Sequence, residues 1–222
     1  MKILTLTHPS VRNARNHSAI AGKKLLGSGQ FSAVFEGSTP DTVIKLTVDP
    51  AGYWLFNDGV VGCKGKHFPK TVESWGAIDD VVIHANLRAG RPRTGPIYLY
   101  EQERLQKLEQ KSQQRKLAKS IIDLSRAACN DPHYMTNHKG NGKRLRNVDD
   151  ARLTLEVLRK NEALPKSVRE AIGSLANFCD YEDDLFLDMH FGNFMVRPST
   201  GDLVFSDPFG CSSIFHGHVN FF

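Results

Sequence analysis

The sequence has little that would staple or anchor a chain. Its four cysteines, Cys63, Cys129, Cys179 and Cys211, form no C-x-x-C pair. That argues against a disulfide framework and against a zinc ribbon, and fits reduced thiols in a cytosolic compartment. No apolar run reaches the roughly 18 residues a membrane helix requires. The opening MKILTLTHPS carries one lysine and too short an apolar run for a signal peptide. A cytoplasmic protein without membrane contact is the expectation. The chain also lacks internal repeats.

What remains is a chain of 222 residues, 40% of them hydrophobic. That is room for one large domain or two small lobes, with well over half of the unfolded surface buried on folding. The net charge is +5, and the excess is local. Between Arg104 and Arg146 there are eleven Lys and Arg against three acids. Such a region attracts an acidic protein or nucleic acid, or is simply a solvated helix face.

The first hundred residues read as strands. KKLLGSGQFSAVFEG holds two short apolar runs around a glycine-rich bend, and TVIKLTV is β-branched and alternating. AGYWLFNDGVVGCKG suggests an irregular helix, HFPKTVESW an extended segment, and VVIHA and PIYLY two more strands. From residue 101 helices dominate: a first over EQERLQKLEQKSQQRKLAKSIIDLSRAAC, a second over VDDARLTLEVLRKNEAL, a third over LPKSVREAIGSLANFCDY. Short strands return at the end. The fold class is α+β.

Three groups of residues suggest chemistry. In the closing stretch, NFMV and LVFSD flank the turn signal RPSTGD. A hairpin centred on Thr200 would set Val196 against Val204 and Asn193 against Asp207. Directly opposed side chains lie about 5 Å apart. An amide oxygen and a carboxylate so placed suit magnesium, with Asp188 in the preceding loop. The second group is L-G-S-G-Q-F-S at 26–32, where glycines let a backbone approach a phosphate closely. The third is Lys45 in TVIKLTV. Alternation puts Val43 and Lys45 on one face, with Ile44, Leu46 and Val48 entering the core from the other.

Together G-S-G-Q-F-S-A-V (27–34), V-I-K (43–45), D-M-H-F-G-N (188–193) and D-P-F-G (207–210) resemble the signature set of the protein-kinase-like superfamily. Within it, G-x-G-x-F-S-A, V-I-K and D-M-H-x-G-N-x-M are similar to the early serine/threonine protein kinase of short-tailed coliphages. The likeness covers roughly 23–58 and 183–210. It implies a two-lobed fold, with a strand-rich N-lobe over 1–100 and a reduced, mainly helical C-lobe over 101–222. It implies ATP and magnesium as cofactors and phosphorylation of host proteins on Ser or Thr in the infected bacterial cytoplasm.

The roles the resemblance assigns are as follows. Gly27, Ser28, Gly29, Gln30, Phe31 and Ser32 cover the phosphates, and Lys45 holds them. Leu26, Val34, Val43 and Met195 sandwich the adenine. The backbone of Tyr98–Glu103, including Glu101 and Glu103, bonds the adenine edge. Asp188 accepts the substrate proton, and Asn193 and Asp207 hold magnesium. Ser212 and Ser213 are candidate autophosphorylation sites. Two alternatives stay open: a small-molecule phosphotransferase, suggested by the same D-M-H-x-G-N loop, and a kinase-fold binding protein that docks on a host factor. Outside this set, Cys211, His216 and His218 offer metal-ligand chemistry or a polar tail.

Overall fold

The computed structural model of the protein describes residues 13–29, 31–83, 93–130, 147–212 and 214. These divide into two compact units. One takes its residues from Met1–Asp58, Lys70–Arg104 and Ser213–Phe222, the other from Gly59–Pro69 and Leu105–Ser212. Glu101–Arg104 thus belong with the first unit, and Gly59–Pro69 with the second. The protein is mixed α/β.

The first unit is built on an antiparallel sheet. Its strands are β1 (Leu25–Ser28), β2 (Ser32–Glu36), β3 (Thr42–Thr47), β4 (Thr71–Ile83) and β5 (Arg93–Glu103), in the order β1-β2-β3-β5-β4. Helix α1 (Pro50–Asn57) follows β3. Asp49 caps it by accepting the Ala51 N–H at 3.0 Å, and Pro50 supplies the fixed φ that suits a first helical position. The helix packs on one sheet face through Tyr53, whose ring stacks on Tyr98 at 4.2 Å and meets Tyr100 edge-on at 5.8 Å. On the other face Arg15 lies over the Phe35 ring, near buried Ala14 and Ile20.

Both faces of the sheet are therefore covered, and its middle strand, β3, is buried along all six residues. The simple alternation expected for TVIKLTV holds for side-chain direction but not for exposure. Phe35, Ile44, Ile97, Leu99 and Tyr100 are almost wholly buried, each contributing about 1.5–3 kcal/mol by leaving water. The long β4–β5 pair slips register at three points, one of them at Gly76 (φ +73°). Such bulges bend and twist a ribbon.

The second unit contains β6 (Gln106–Lys107), α2 (Gln113–Asn130), α3 (Val148–Lys160), α4 (Lys166–Phe178), β7 (Leu185–Leu187), β8 (Phe194–Val196), β9 (Leu203–Phe205) and β10 (Phe209–Cys211). Strands β6, β8 and β9 form one small sheet, and β7 pairs with β10. Ile121, Leu155, Ile172, Leu175, Leu185, Val204 and Phe205 form its core. Helices α3 and α4 stand where the periodicity put them. Asn147 caps α3, with Asp149 and Asp150 in its first turn and Arg159 and Lys160 in its last.

Two expectations require correction. The helix predicted from residue 101 begins only at Gln113. Residues 101–103 complete β5, and Gln106 and Lys107 pair with Val196 and Met195. Ser112 starts the helix, its Oγ accepting the Arg115 N–H at 3.1 Å. The second correction is the β8–β9 register: Phe194 faces Phe205, Met195 faces Val204 and Val196 faces Leu203. The hairpin is one residue out from a turn centred on Thr200. Arg197 N–H bonds Asp202 O at 3.0 Å, closing an even loop of four residues. Gly201 makes that closure possible at φ +73°. Asn193 therefore stands against Ser206, whose N–H bonds Asn193 O at 2.9 Å. Asp207 comes one residue later.

Candidate functional site

Each unit carries part of the predicted set. In the first, the glycine turn joins β1 to β2, with Gly29 N–H donating to Ser32 O at 2.8 Å. Phe31 O accepts from Val48 N–H at 3.0 Å and from Thr47 Oγ1 at 3.2 Å, tying the turn to the end of β3. Leu26, Gly27, Ser28 and Gly29 are exposed, Phe31 and Ser32 half-buried, and Gln30 lies outside the described residues. A Cβ on Gly27 would meet nothing within 4 Å, and one on Gly29 would meet only Ser32, at 3.6 Å and beyond. The described packing gives no internal reason for glycine at either position.

Lys45 stands opposite Val34 in β2 and Tyr100 in β5, while Val43 stands opposite Gln102. Opposed residues share a face, so Val34, Val43, Lys45, Tyr100 and Gln102 lie on one side of the sheet. Lys45 is only 7% exposed, a depth at which lysine is rarely found without partners.

Glu101 and Glu103, expected along the adenine edge, are held by the sheet. They belong to β5, which is hydrogen-bonded between β3 and β4. Glu103 N–H donates to Lys70 O at 2.9 Å, and its carboxylate accepts Lys70 N–H at 3.0 Å. Arg104 N–H donates to Asp41 O at 2.7 Å. The backbone expected to meet a base is thus committed to the sheet and its margins at residues 103 and 104. Glu101 is 1% exposed. It accepts from Ser38 N–H and Ser38 Oγ, both at 2.6 Å, and from Thr42 Oγ1. Burial pushes its carboxyl up, but the Ser38 and Thr42 donors, with the Lys23 charge, outweigh this and hold it below the ordinary range.

In the second unit the D-M-H-F-G-N loop runs from β7 to β8. Asp188 N–H donates to Pro208 O at 2.8 Å, joining the loop to the D-P-F-G segment. Phe191–Asn193 form a single 3-10 turn, whose start His190 caps by accepting Gly192 N–H at 3.0 Å. A Cβ on Gly192 would come within 2.8 Å of that ring, so a larger residue there would displace the His190 side chain from its cap. Asn193 Nδ2 donates to Asp188 O at 2.7 Å and to Asp188 Oδ2 at 3.1 Å. His190 Nε2 lies 3.5 Å from the same Oδ2. Asp188, Asn193, Met195 and Asp207 are all half-buried. The loop thus brings Asp188 and Asn193 into direct contact and sets Asp207 beside Ser206 at the base of the hairpin.

Three supporting residues escaped the sequence reading. Arg115 of α2 lies 4.3 Å over the Phe191 ring, and the wider basic run gave the only hint of it. Arg197, 3% exposed, donates through Nη1 to Lys66 O and through Nη2 to Phe68 O, the latter at 2.7 Å. His67 bonds Leu203 O through Nδ1 at 2.7 Å and Ser167 Oγ through Nε2 at 3.0 Å. A ring with its proton on Nδ1 satisfies both contacts. These bonds lash 66–68 to the β8–β9 hairpin across long sequence separations that composition cannot reveal.

The lesser candidates are less organised. Among the described residues no three His, Cys, Asp or Glu side chains cluster as metal ligands. Cys211 Sγ donates to Asp184 Oδ2 at 3.0 Å, while His216 and His218 lie outside the described residues. Ser212 is half-buried, its N–H bonded to Asp184 O at 3.0 Å; Ser213 is also outside them. Of the basic region, 131–146 is outside, and in α2 Lys119 pairs with Asp123. Burial pushes the Cys63 and Cys179 thiols up to about 12, which makes them poor nucleophiles. No helix among the described residues is long and apolar enough to cross a membrane. No protein-family model matches the chain, and no curated protein matches it.

Proposed function

We propose that the chain is an ATP- and magnesium-dependent serine/threonine protein kinase, of the kind found as an early protein of short-tailed coliphages, acting on proteins of the infected bacterium. In this reading the first unit is an N-lobe and the second a reduced C-lobe of a protein-kinase-like fold. The observation that carries it is the tie between Asn193 and Asp188. Both contacts use the amide nitrogen, which leaves Oδ1 as the oxygen Asn193 can offer. That is a hard donor suited to magnesium, and the half-buried carboxylate of Asp207 is a second. Magnesium, when bound, supplies neutralisation of the charge on the transferred phosphate.

The remaining work falls to the chain's own side chains. Asp188, fixed through its backbone and by Asn193, would orient a substrate hydroxyl and take its proton. Lys45, buried beside Val34 and Val43, would hold phosphate oxygens. The glycines at 27 and 29, unconstrained by the described packing, would admit phosphate against the turn backbone. Catalysis would rest on positioning and charge rather than on covalent chemistry.

The test is transfer from γ-labelled ATP to bacterial proteins. Asp188→Ala is expected to reduce labelling at least a thousandfold with unchanged thermal unfolding. Labelling that survives this substitution refutes the assignment. Label confined to small metabolites would favour the small-molecule phosphotransferase, and none at all the binding protein.

A further inference from the structure

We propose that the pocket between the end of α3 and the start of α4 is a binding site for a phosphate monoester. The pocket measures about 470 Å³ and is lined by Arg159, Lys160, Lys166, Arg169, Glu170 and Gly173. That volume exceeds a bare phosphate and suits a phosphate with a small organic group attached. None of these residues belongs to the kinase site, and the inference does not depend on that reading.

The charge is unbalanced. Glu156 pairs with Arg159 at 2.7 Å and with Lys160 at 3.9 Å, and Glu170 pairs with Lys166 at 3.9 Å. Four cations against two carboxylates leave two positive charges, which a monoester carrying nearly two negative charges would balance. Arg159 and Lys160 alone would be unremarkable, since cations favour a helix C-terminus. Lys166 and Arg169 are different. They occupy the first turn of α4, where the helix dipole disfavours cations. That turn holds no acid, and its cap residue, Pro165, makes no side-chain bond, whereas α1 and α3 are capped by Asp49 and Asn147. An anion would reconcile the cations with the helix end.

A further observation is independent of the helix. Arg169 Nε is shut away from water without a hydrogen-bond partner, a cost that buried polar groups rarely carry. Arg169, half-buried, is one of the residues that line the pocket. Turned toward a phosphate there, it would gain the forked, charge-assisted bonds that arginine forms with phosphate oxygens.

The experiment is calorimetric titration of the full chain at low salt with inorganic phosphate, glycerol 2-phosphate, a phosphoserine pentapeptide and the same peptide unphosphorylated. The expected result is binding of at least one monoester, no binding of the plain peptide, and affinity at least tenfold lower in the double variant Lys166→Gln, Arg169→Gln. A second double variant, Arg159→Gln with Lys160→Gln at the exposed end of α3, should weaken binding severalfold and guards against misfolding of the first. Preference for the peptide would point to a phosphoprotein ligand, preference for glycerol phosphate to a metabolite. Failure of both monoesters to bind, binding unaltered in both double variants, or inorganic phosphate binding as tightly as either monoester would overturn the proposal.

Discussion

Each unit contains one nearly inaccessible charged side chain that ties down a distant turn, and the two differ in sign. In the first, Glu101 gathers the Ser38 and Thr42 donors, 63 and 59 residues upstream. In the second, Arg197 reaches the carbonyls of Lys66 and Phe68, about 130 residues upstream, with Asp202 at 4.0 Å. Glu101 lies beside Tyr100, the cross-strand neighbour of Lys45. Arg197 follows β8, whose other end, Phe194, directly follows Asn193. Both charges therefore brace strands that carry candidate site residues. The difference lies in titration: a carboxylate can be neutralised by acid, whereas a guanidinium stays charged at any accessible pH. The first brace can be loosened by pH and the second cannot.

The largest expected effect comes from Arg197→Met. It removes two charge-assisted bonds and leaves the Lys66 and Phe68 carbonyls short of donors, while the methionine fills most of the space. The expected loss is about 3–4 kcal/mol, read by urea unfolding and unchanged between pH 4 and pH 8. A loss below about 1 kcal/mol would mean that His67 and the Phe205 N–H, which bonds His67 O at 2.9 Å, hold the segment without help. Under the proposed kinase reading, labelling by ATP should fall with it, because Asn193 and Asp207 flank the β8–β9 hairpin.

What the sequence made legible follows the same contrast between local and distant contacts. Helices α3 and α4 could be read because their caps, first-turn acids and apolar stripes are local. The Lys45 strand could be read because β-branched alternation is local too. The RPSTGD turn was visible, but not its register. That depends on whether Gly201 takes a positive φ, and so on the parity of the loop. Helix α2 was drawn too long because Glu, Gln, Lys and Leu suit a helix equally well on either side of Ser112, and nothing nearby shows that 101–103 belong to a sheet. Glu101 looked like a ligand contact for the same reason: its partners at 38 and 42 come near only through the β3–β5 pairing. Arg197 looked like an ordinary turn residue, although it is almost wholly buried.

A smaller and pH-dependent effect is expected from Glu101→Gln. The Ser38 and Thr42 donors all reach one Glu101 oxygen, and the glutamine oxygen that replaces it can accept them only as a neutral group. The loss should be about 2 kcal/mol at pH 7. The folded carboxyl titrates below the ordinary value of 4.5, so folding favours its ionised form. Its contribution is complete above that value and is lost as pH falls through the lowered folded-state pKa. Stabilities of the wild type and Glu101→Gln, followed from pH 7 to pH 2, should therefore converge at the acid end. Parallel curves would show that Glu101 does not titrate differently on folding, and the contrast with Arg197 would lose its basis.

The smallest effect, and the sharpest division of the Glu101 brace, belongs to Ser38→Ala. Ser38 donates twice to the same oxygen, through its backbone N–H and its Oγ, both at 2.6 Å. The substitution removes only the hydroxyl. Thr42 and the backbone donor remain, and Ser38 itself is exposed, so little packing is lost. The expected cost is about 1 kcal/mol at pH 7, with the folded Glu101 pKa moved back toward its ordinary value. The convergence with Glu101→Gln, which sets in at the same pH, should then be complete at a higher pH than in the wild type. A cost matching that of Glu101→Gln would mean the hydroxyl alone holds the carboxylate. No cost at all would assign the brace to Thr42 and the Ser38 backbone, the two donors fixed by the 37–42 turn, where Gly37 N–H bonds Thr42 O at 3.1 Å.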